Sequence, residues 1–277
     1  MTPTPTPGPE LPSTLGGAGW QARSEPHSAD LGTIWAGHRV SSHFAPIRAV
    51  LLADPGDEQL YTEPPAEWLM YERPDLPTLR AQAQAIAALY RSQGAEVFWS
   101  RPSRPKPNHL FMCDLFFMTP EGAILARMAA RQRAGEERGT AEALAAMGVP
   151  ILLTPRGNAY FEGADAMWLD ERTVLIGIGK RSNHEAVRQI TPVLADMGVR
   201  VEVATVGRGV QHLLGVINPI RPGLAAILAP HATASLREAM SGWELIELGS
   251  DDETEGRRAM NFVPLRPGAI EIGRAHV

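Results

Sequence analysis

Charged and polar side chains occur inside apolar stretches at several distant positions of this sequence. They are Asp114 within NHLFMCDLFF, Glu162 and Asp165 within AYFEGADAMW, and His212 within GVQHLLGV. Burying a carboxylate among Leu, Phe and Met costs free energy unless a partner compensates for the lost hydration. If the fold brings these residues together, their carboxylates and imidazole would suit a planar cation and acid/base chemistry.

Each of these residues, taken singly, also has a simpler structural explanation. Asp114 could cap a turn, and Glu162 could pair with an arginine. His212 could be a core histidine with satisfied hydrogen bonds, which is the more common role of a lone histidine. What favours a functional site is the shared position of the residues in a repeated pattern.

The repeated pattern consists of five segments that each contain an apolar run, a short turn and a second apolar run. The segments are HFAPIRAVLLADP, CDLFFMTPEGAILARM, ADAMWLDERTVLIGIG, LGVINPIRPGLAAILAP and AMNFVPLRPGAIEI. Such a pattern is typical of a β-hairpin. The candidate residues lie just before or at the start of these hairpins, and Asn261 opens the fifth.

Four helices are predicted after the hairpins, over PTLRAQAQAIAALYRSQ, AGEERGTAEALAAM, NHEAVRQITPVLADM and TASLREAMS. Each ends near a glycine that can adopt a left-handed cap, namely Gly94, Gly148, Gly198 and Gly242. The strands AEVFW, VPILL, VRVEV and WELIEL follow at once. The predicted unit is therefore strand, strand, helix, strand, complete four times and followed by a fifth unit without its helix.

The apolar residues of two helices show a helical spacing. In the first helix they are Leu79, Ala83, Ile86 and Leu89 or Tyr90, and in the third they are Val187, Ile190, Leu194 and Met197. Asn183 is expected to be the N-cap of the third helix. Pro192 is expected to bend or break that helix.

These units predict a single α/β domain over residues 41–271, in which five ββαβ units close into a ring with the hairpins near its axis. A generic α+β domain with coincidental similarity is the alternative. Residues 1–40 begin with a Pro-, Thr- and Gly-rich stretch, and we expect a disordered leader and extension there.

Composition excludes several function classes. The 277 residues have a formal net charge of -5 without a basic block, so binding to nucleic acid or an anionic membrane has no electrostatic support. The single cysteine, Cys113, excludes an intrachain disulfide and a multi-cysteine zinc site and favours the cytoplasm. A small neutral or cationic substrate fits this composition, and self-association stays open.

At the candidate residues the sequence resembles the guanidino-modifying pentein superfamily, which includes arginine deiminase, dimethylarginine dimethylaminohydrolase and glycine amidinotransferase. FMCDLFFMTPEGAILARM resembles its Phe-x-Arg-Asp segment, FEGAD its Glu-Gly-Gly-Asp box, and GIGKRSNHEAVRQI its Gly-x-x-x-Arg-Thr/Ser-Asn segment. QHLL resembles its histidine motif, and AMNFVPLRPGAIEI its late Asn-hairpin. The resemblance implies a pseudo-fivefold α/β propeller whose fifth unit is incomplete, with Asn261 among the substrate-binding residues.

The resemblance also implies roles for the other candidates. Asp114 and Glu162 would bind the substrate guanidinium, and His212 would be the general acid/base. Asp165 would hold the local backbone, with substrate contact as the alternative. Arg181 would contact a substrate carboxylate, although a surface arginine at a helix start is an alternative interpretation. In the family a thiolate attacks the guanidinium carbon to give a thiouronium intermediate, so neither a metal nor a cofactor is implied.

The family's nucleophilic cysteine follows the helix of the fifth unit, and this sequence ends before such a helix. Cys113 is not expected to replace it, because it stands where the family usually has Arg and its neighbours suggest a buried thiol. The hexapeptide IGRAHV at residues 272–277 is also the translation of a common sequencing adapter, which predicts a non-native tail and an inactive truncated chain. A natural short paralogue is the alternative.

Leu214 stands where arginine deiminases and amidinotransferases carry an acid two residues after the histidine. This departure favours the dimethylarginine dimethylaminohydrolase side of the family. The resemblance therefore implies a hydrolase of a substituted guanidine. An amidinotransferase and a non-catalytic pentein binding protein are the alternatives.

Overall fold

A computed structural model describes residues 10–256 and 259–272 of the chain. Within these ranges the strands form five small sheets that follow one another along the sequence. Among the described helices, none is both long and apolar enough to cross a membrane.

The second, third and fourth units have the predicted order of strand, strand, helix and strand. Their elements are β3 (Phe116–Met118), β4 (Ala123–Leu125), α2 (Glu136–Ala146) and β5 (Ile151–Leu153); β6 (Ala166–Asp170), β7 (Thr173–Ile178), α3 (His184–Asp196) and β8 (Arg200–Thr205); and β9 (Ile217–Arg221), β10 (Leu224–Leu228), α4 (Ala234–Ala239) and β11 (Glu244–Leu248). In each unit the first two strands pair antiparallel, and the third pairs parallel to the second. The helix supplies the crossover that parallel pairing requires.

The first unit differs from the prediction. It contains β1 (Ala49–Ala53), α1 (Leu76–Ser92) and β2 (Glu96–Ser100), and its two strands pair in parallel. The expected first hairpin is wrong, because the residues before β1 pair elsewhere: Ile47 N–H donates to Leu265 O. Leu265 belongs to β12 (Phe262–Arg266), which forms the predicted fifth hairpin with β13 (Ala269–Ile272).

The predicted helix ends are confirmed. Gly94, Gly148, Gly198 and Gly242 have φ values of 82°, 72°, 73° and 89°. Only a glycine adopts this left-handed region without a steric cost, so each one stops its helix and turns the chain into the next strand.

Asn183 is the N-cap of α3, since its side chain accepts a hydrogen bond from Ala186 N–H. Pro192 does not end α3, which continues to Asp196. The predicted apolar face of α1 is wrong at Ile86, which is 45% exposed, whereas the predicted Tyr90 is buried together with Ala87.

Among the described residues, the core consists of four apolar clusters, and each cluster joins two consecutive units. Strand β7 contributes side chains to two of these clusters. Val174 and Ile176 point into the cluster shared with the second unit, whereas Leu175 points into the cluster shared with the fourth. Because side chains alternate along a strand, a central strand buried on both faces has to be apolar throughout.

Part of the expected leader contacts the domain. Ala36 N–H donates to Gly148 O, Val40 N–H donates to Thr119 O, and His27 Nε2 lies 3.1 Å from Glu121 O. Residues 1–9 of the expected leader and residues 273–277 of the expected tail lie outside the described residues, while Ile272 pairs with Phe262.

Candidate functional site

The candidate site forms where three short 3-10 turns meet, each directly before the first hairpin strand of its unit. The turns are Met112–Asp114, Gly163–Asp165 and Leu213–Gly215, and the second contacts both of the others. A Cβ atom at position 163 would overlap the carbonyl oxygen of Phe116. Only glycine therefore allows the first two turns to approach this closely.

Asp114, Glu162 and His212 converge at this meeting point from three separate units. One nitrogen or carboxylate oxygen atom of each residue lies within 4.8 Å of the corresponding atoms of the other two. His212 Nε2 lies 2.7 Å from Glu162 Oε2, and His212 Nδ1 lies 4.0 Å from Asp114 Oδ1. Glu162 is fully buried and Asp114 is 6% exposed. The structure thus places two buried carboxylates and one imidazole around a single point.

Asp165 is a buried neighbour of these residues, and its carboxylate connects the second turn to the third by a hydrogen bond. Its Oδ2 accepts a hydrogen bond from Ser182 Oγ (2.7 Å), and its Oδ1 accepts one from Leu213 N–H (2.8 Å). Burial raises the pKa of this carboxyl to about 6. Asp165 therefore fixes the turn that follows His212.

Arg181 contacts the second oxygen of Glu162. Its Nη1 lies 3.4 Å from Glu162 Oε1, which also accepts a hydrogen bond from Ala129 N–H. Only 12% of the Arg181 side chain is exposed, so it lines the cluster rather than the open surface.

Arg133, which the sequence analysis missed, lies at the centre of the site. Its side chain is 4% exposed, and its Nη1 donates to Asp114 Oδ2 at 2.6 Å and lies 3.6 Å from Glu162 Oε2. Its Nε and Nη2 donate to Glu136 Oε2 at 3.0 and 2.9 Å. The stretch ARQRAGEERG looks like a solvated charged loop, and only the spacing of Arg133 and Glu136 hints at a pair.

The charges in the cluster shift one another's pKa values. Burial opposes the charged form of His212, but the Asp114 charge and the hydrogen bond with Glu162 outweigh it and raise the pKa of the imidazole. Burial likewise opposes ionisation of Asp114, and the charges of His212 and Arg133 reverse its effect and lower the pKa. Both groups are therefore stabilised in their charged forms.

Glu136 is in a different situation from Asp114. Burial dominates there and raises the pKa of Glu136 to about 7, although Arg133 opposes this shift. Its Oε2 carries both hydrogen bonds from Arg133, while Oε1 has no partner among the described residues. The Arg133 guanidinium thus joins a well-ionised carboxylate to one that titrates near neutral pH.

One residue named by the sequence analysis, Asn261, lies apart from the hydrogen bonds of the cluster. Asn261 is exposed directly before β12, and none of the hydrogen bonds or ion pairs between described residues joins it to Asp114, Glu162 or His212. Cys113 is an exposed residue between the buried Met112 and Asp114, whereas the sequence analysis expected a buried thiol.

The thiol of Cys113 lies close to the site. Its Sγ is 3.4 Å from Asp114 Oδ1. The protein atoms packed around the sulfur and the Asp114 carboxylate raise the pKa of the thiol well above its ordinary value. The unreactive neutral form of the thiol is therefore favoured.

Asp114, Glu162 and His212 also have the donor types of a metal site. The Arg133 guanidinium, however, already contacts Asp114 and lies near Glu162, so a positive charge is in place where an ion would bind. The arrangement of donors suits a planar, hydrogen-bonding cation better than a metal ion.

Comparison with known proteins relates this geometry to a family. Residues 79–207 match the arginine deiminase family, a segment that includes Asp114, Glu162 and Arg181. The comparison with curated proteins found no match to this sequence.

The fold is similar to several solved structures. One is dimethylarginine dimethylaminohydrolase from Pseudomonas aeruginosa in complex with citrulline, with a TM-score of 0.66 and 17% identity over 83% of this chain and 86% of that one. A second is inosamine-phosphate amidinotransferase from Streptomyces griseus, with a TM-score of 0.65 and 16% identity over 85% of each chain. A third is the N-terminal domain of a cyanobacterial arginine dihydrolase bound to substrate, with a TM-score of 0.65 and 18% identity over 78% of this chain and 80% of that one.

Proposed function

We propose that this chain is a member of the pentein superfamily and that it binds a dimethylarginine-like or arginine-like guanidine at Asp114 and Glu162. The match of residues 79–207 to the arginine deiminase family and the similar fold support this proposal. The main support for the proposal is the arrangement of charged side chains in the site. Two buried carboxylates, one of them joined to His212, surround a point where a guanidinium group, that of Arg133, is already bound. Paired carboxylates of this kind recognise a planar guanidinium through charge-assisted hydrogen bonds.

The reaction that fits this site is hydrolysis of a guanidinium C–N bond, which releases an amine or ammonia and leaves a ureido product. His212 would donate a proton to the departing nitrogen and later accept one from the attacking water. Its raised pKa supports the first task, because the protonated imidazole is favoured before the C–N bond breaks. Arg181 would contact the carboxylate of an arginine-like substrate.

The covalent step known in the family requires a thiolate, and the sequence contains one cysteine. We do not assign that step to Cys113, because the raised pKa of its thiol disfavours the thiolate. We therefore expect the chain, as printed, to bind a guanidine without turning it over. An amidinotransferase would use the same carboxylates and histidine and differ in passing the amidino group to an amine instead of water.

Calorimetric titration with N,N-dimethylarginine tests the proposal. The wild-type chain should bind, and Asp114→Asn should weaken binding by about 10-fold to 100-fold, because a hydrogen bond to a charged group contributes roughly 1.5–3 kcal/mol. His212→Ala should keep much of the affinity, since it removes acid/base chemistry rather than a guanidinium ligand.

Asp57→Asn is the matched control, because the Asp57 side chain is 87% exposed. It should bind like the wild type. Equal affinities of Asp114→Asn and Asp57→Asn would contradict the proposed guanidinium site.

A further inference from the structure

The fifth hairpin, formed by β12 and β13, has less support from neighbouring strands than the other hairpins. In the second, third and fourth units a further strand pairs in parallel with the hairpin. Among the described residues, β13 pairs with β12 alone. An isolated two-stranded hairpin is marginally stable in water, so contacts of another kind have to hold this one against the domain.

The segment before β1 supplies such contacts. We call residues 40–47 the strap. Near its end, Ile47 N–H donates to Leu265 O in β12. In its middle, His43 Nε2 lies 2.8 Å from Oδ1 of Asn218, a residue of β9 in the fourth unit. The strap therefore contacts the fifth hairpin directly and also contacts the strand beside it.

Asn218 connects His43 to the fifth hairpin. The residue is fully buried, and its Nδ2 donates to Met260 O at 3.0 Å and to Phe262 O at 2.8 Å. Since both donors of the amide are used, Oδ1 is the atom that faces His43, and His43 Nε2 has to be the donor. A continuous series of hydrogen bonds thus runs from the strap through β9 to the backbone at the start of β12.

We propose that the strap is a conformational device that holds the fifth hairpin in place: His43 fixes the orientation of the Asn218 amide, and Asn218 holds the backbone at the start of β12. For the fifth hairpin, these contacts take the place of the third strand that supports the other three. The proposal does not depend on which ligand the domain binds. Release of the strap should loosen the fifth hairpin and leave the β6–β7 hairpin unchanged.

Hydrogen exchange of the full chain, measured by mass spectrometry, tests the proposal. His43→Leu keeps a side chain at the same place but removes the donor to Asn218. We expect the amides of β12 and β13 to exchange about 3-fold to 10-fold faster than in the wild type, as for the loss of one neutral hydrogen bond. His43→Gln can place an N–H group near the position of Nε2 and should restore most of the protection.

His184→Leu is the matched control, because His184 is exposed at the start of α3. In this variant the fifth hairpin should exchange as in the wild type. Equal exchange of the fifth hairpin in His43→Leu and His184→Leu would overturn the proposal. The same holds if β6–β7 is accelerated as much as the fifth hairpin, or if His43→Gln exchanges as fast as His43→Leu.

A second test asks whether His43 acts through Asn218. Asn218→Leu removes the donors to Met260 O and Phe262 O, so it should speed exchange of the fifth hairpin more than His43→Leu does. Adding His43→Leu to Asn218→Leu should then have little further effect, because the amide that His43 orients is gone. Accelerations that multiply in the double variant would show two independent contacts and would refute the proposed series of hydrogen bonds.

Discussion

At the residue scale, the site is a group of charges that neutralise one another inside the protein. Asp114 and Glu162 are negative, Arg133 and Arg181 are positive, and His212 is held towards its charged form by its two carboxylate neighbours. None of these groups would be stable alone at this depth, because an isolated buried charge is strongly unfavourable. The same property makes the site responsive to pH and to a cationic ligand.

The pH dependence of stability follows from the raised pKa of His212. In the folded chain the imidazole binds its proton more tightly than at the ordinary value of 6.5. The stabilisation is therefore fully present below that value and is lost as the pH rises through the folded-state pKa. We expect the free energy of unfolding of the wild type, measured with urea, to fall relative to that of His212→Gln as the pH rises above 6.5.

The control for this experiment is His184→Gln, because His184 is exposed at the start of α3. Its stability should follow that of the wild type over the same pH range. Parallel curves for the wild type and His212→Gln would contradict a histidine stabilised in its protonated form.

At the element scale, the site depends on how closely the 3-10 turns pack. Gly163 lies in the second turn against the backbone of the first, and Asp165 fixes the third turn through the Leu213 N–H group. The helices contribute indirectly: their glycine caps return the chain to a parallel strand, and the next turn follows that strand. Changes in these turns should disturb the site without touching any of its charged groups.

Gly163→Ala tests this dependence. The added methyl group would meet the carbonyl oxygens of Phe116 and Cys113, so the backbones of two turns would have to move apart. Overpacking of this kind costs roughly 1–3 kcal/mol of unfolding free energy, which urea denaturation can measure. Affinity for dimethylarginine should fall as well.

Gly249→Ala is the control, because nothing lies within 4 Å of the Cβ position at residue 249. Its stability should stay within about 0.5 kcal/mol of the wild type, as for most surface substitutions. If both variants have the same stability, the close packing of the turns does not limit the site.

At the scale of the whole molecule, the repeated unit could be predicted from the sequence because its signals are local. Each unit contains its own signals, namely alternating apolar residues, turn residues and a glycine after the helix. Three units have the complete structure that these signals predict. The first hairpin could not be predicted, since Ile47 pairs with Leu265, which is more than two hundred residues away. The predicted burial of Ile86 is wrong because helical spacing indicates an apolar face but does not indicate which part of the protein covers that face.

The candidate site was partly predictable for a related reason. Asp114, Glu162 and His212 are conspicuous because each interrupts an apolar stretch shortly before the first hairpin strand of its unit. Arg133 lies in a polar loop between β4 and α2, where an arginine looks ordinary. Its burial depends on three carboxylates from two units, and no local pattern contains that information.

The most direct test of the central claim is a crystal structure of the chain with N,N-dimethylarginine bound. The account predicts that the ligand guanidinium lies within about 3 Å of oxygens of both Asp114 and Glu162, the distance of a charge-assisted hydrogen bond. Arg133 should then have left Asp114 Oδ2, which it contacts in the ligand-free chain. A ligand bound away from Asp114 and Glu162, with His212 and Arg133 in their present places, would contradict the account.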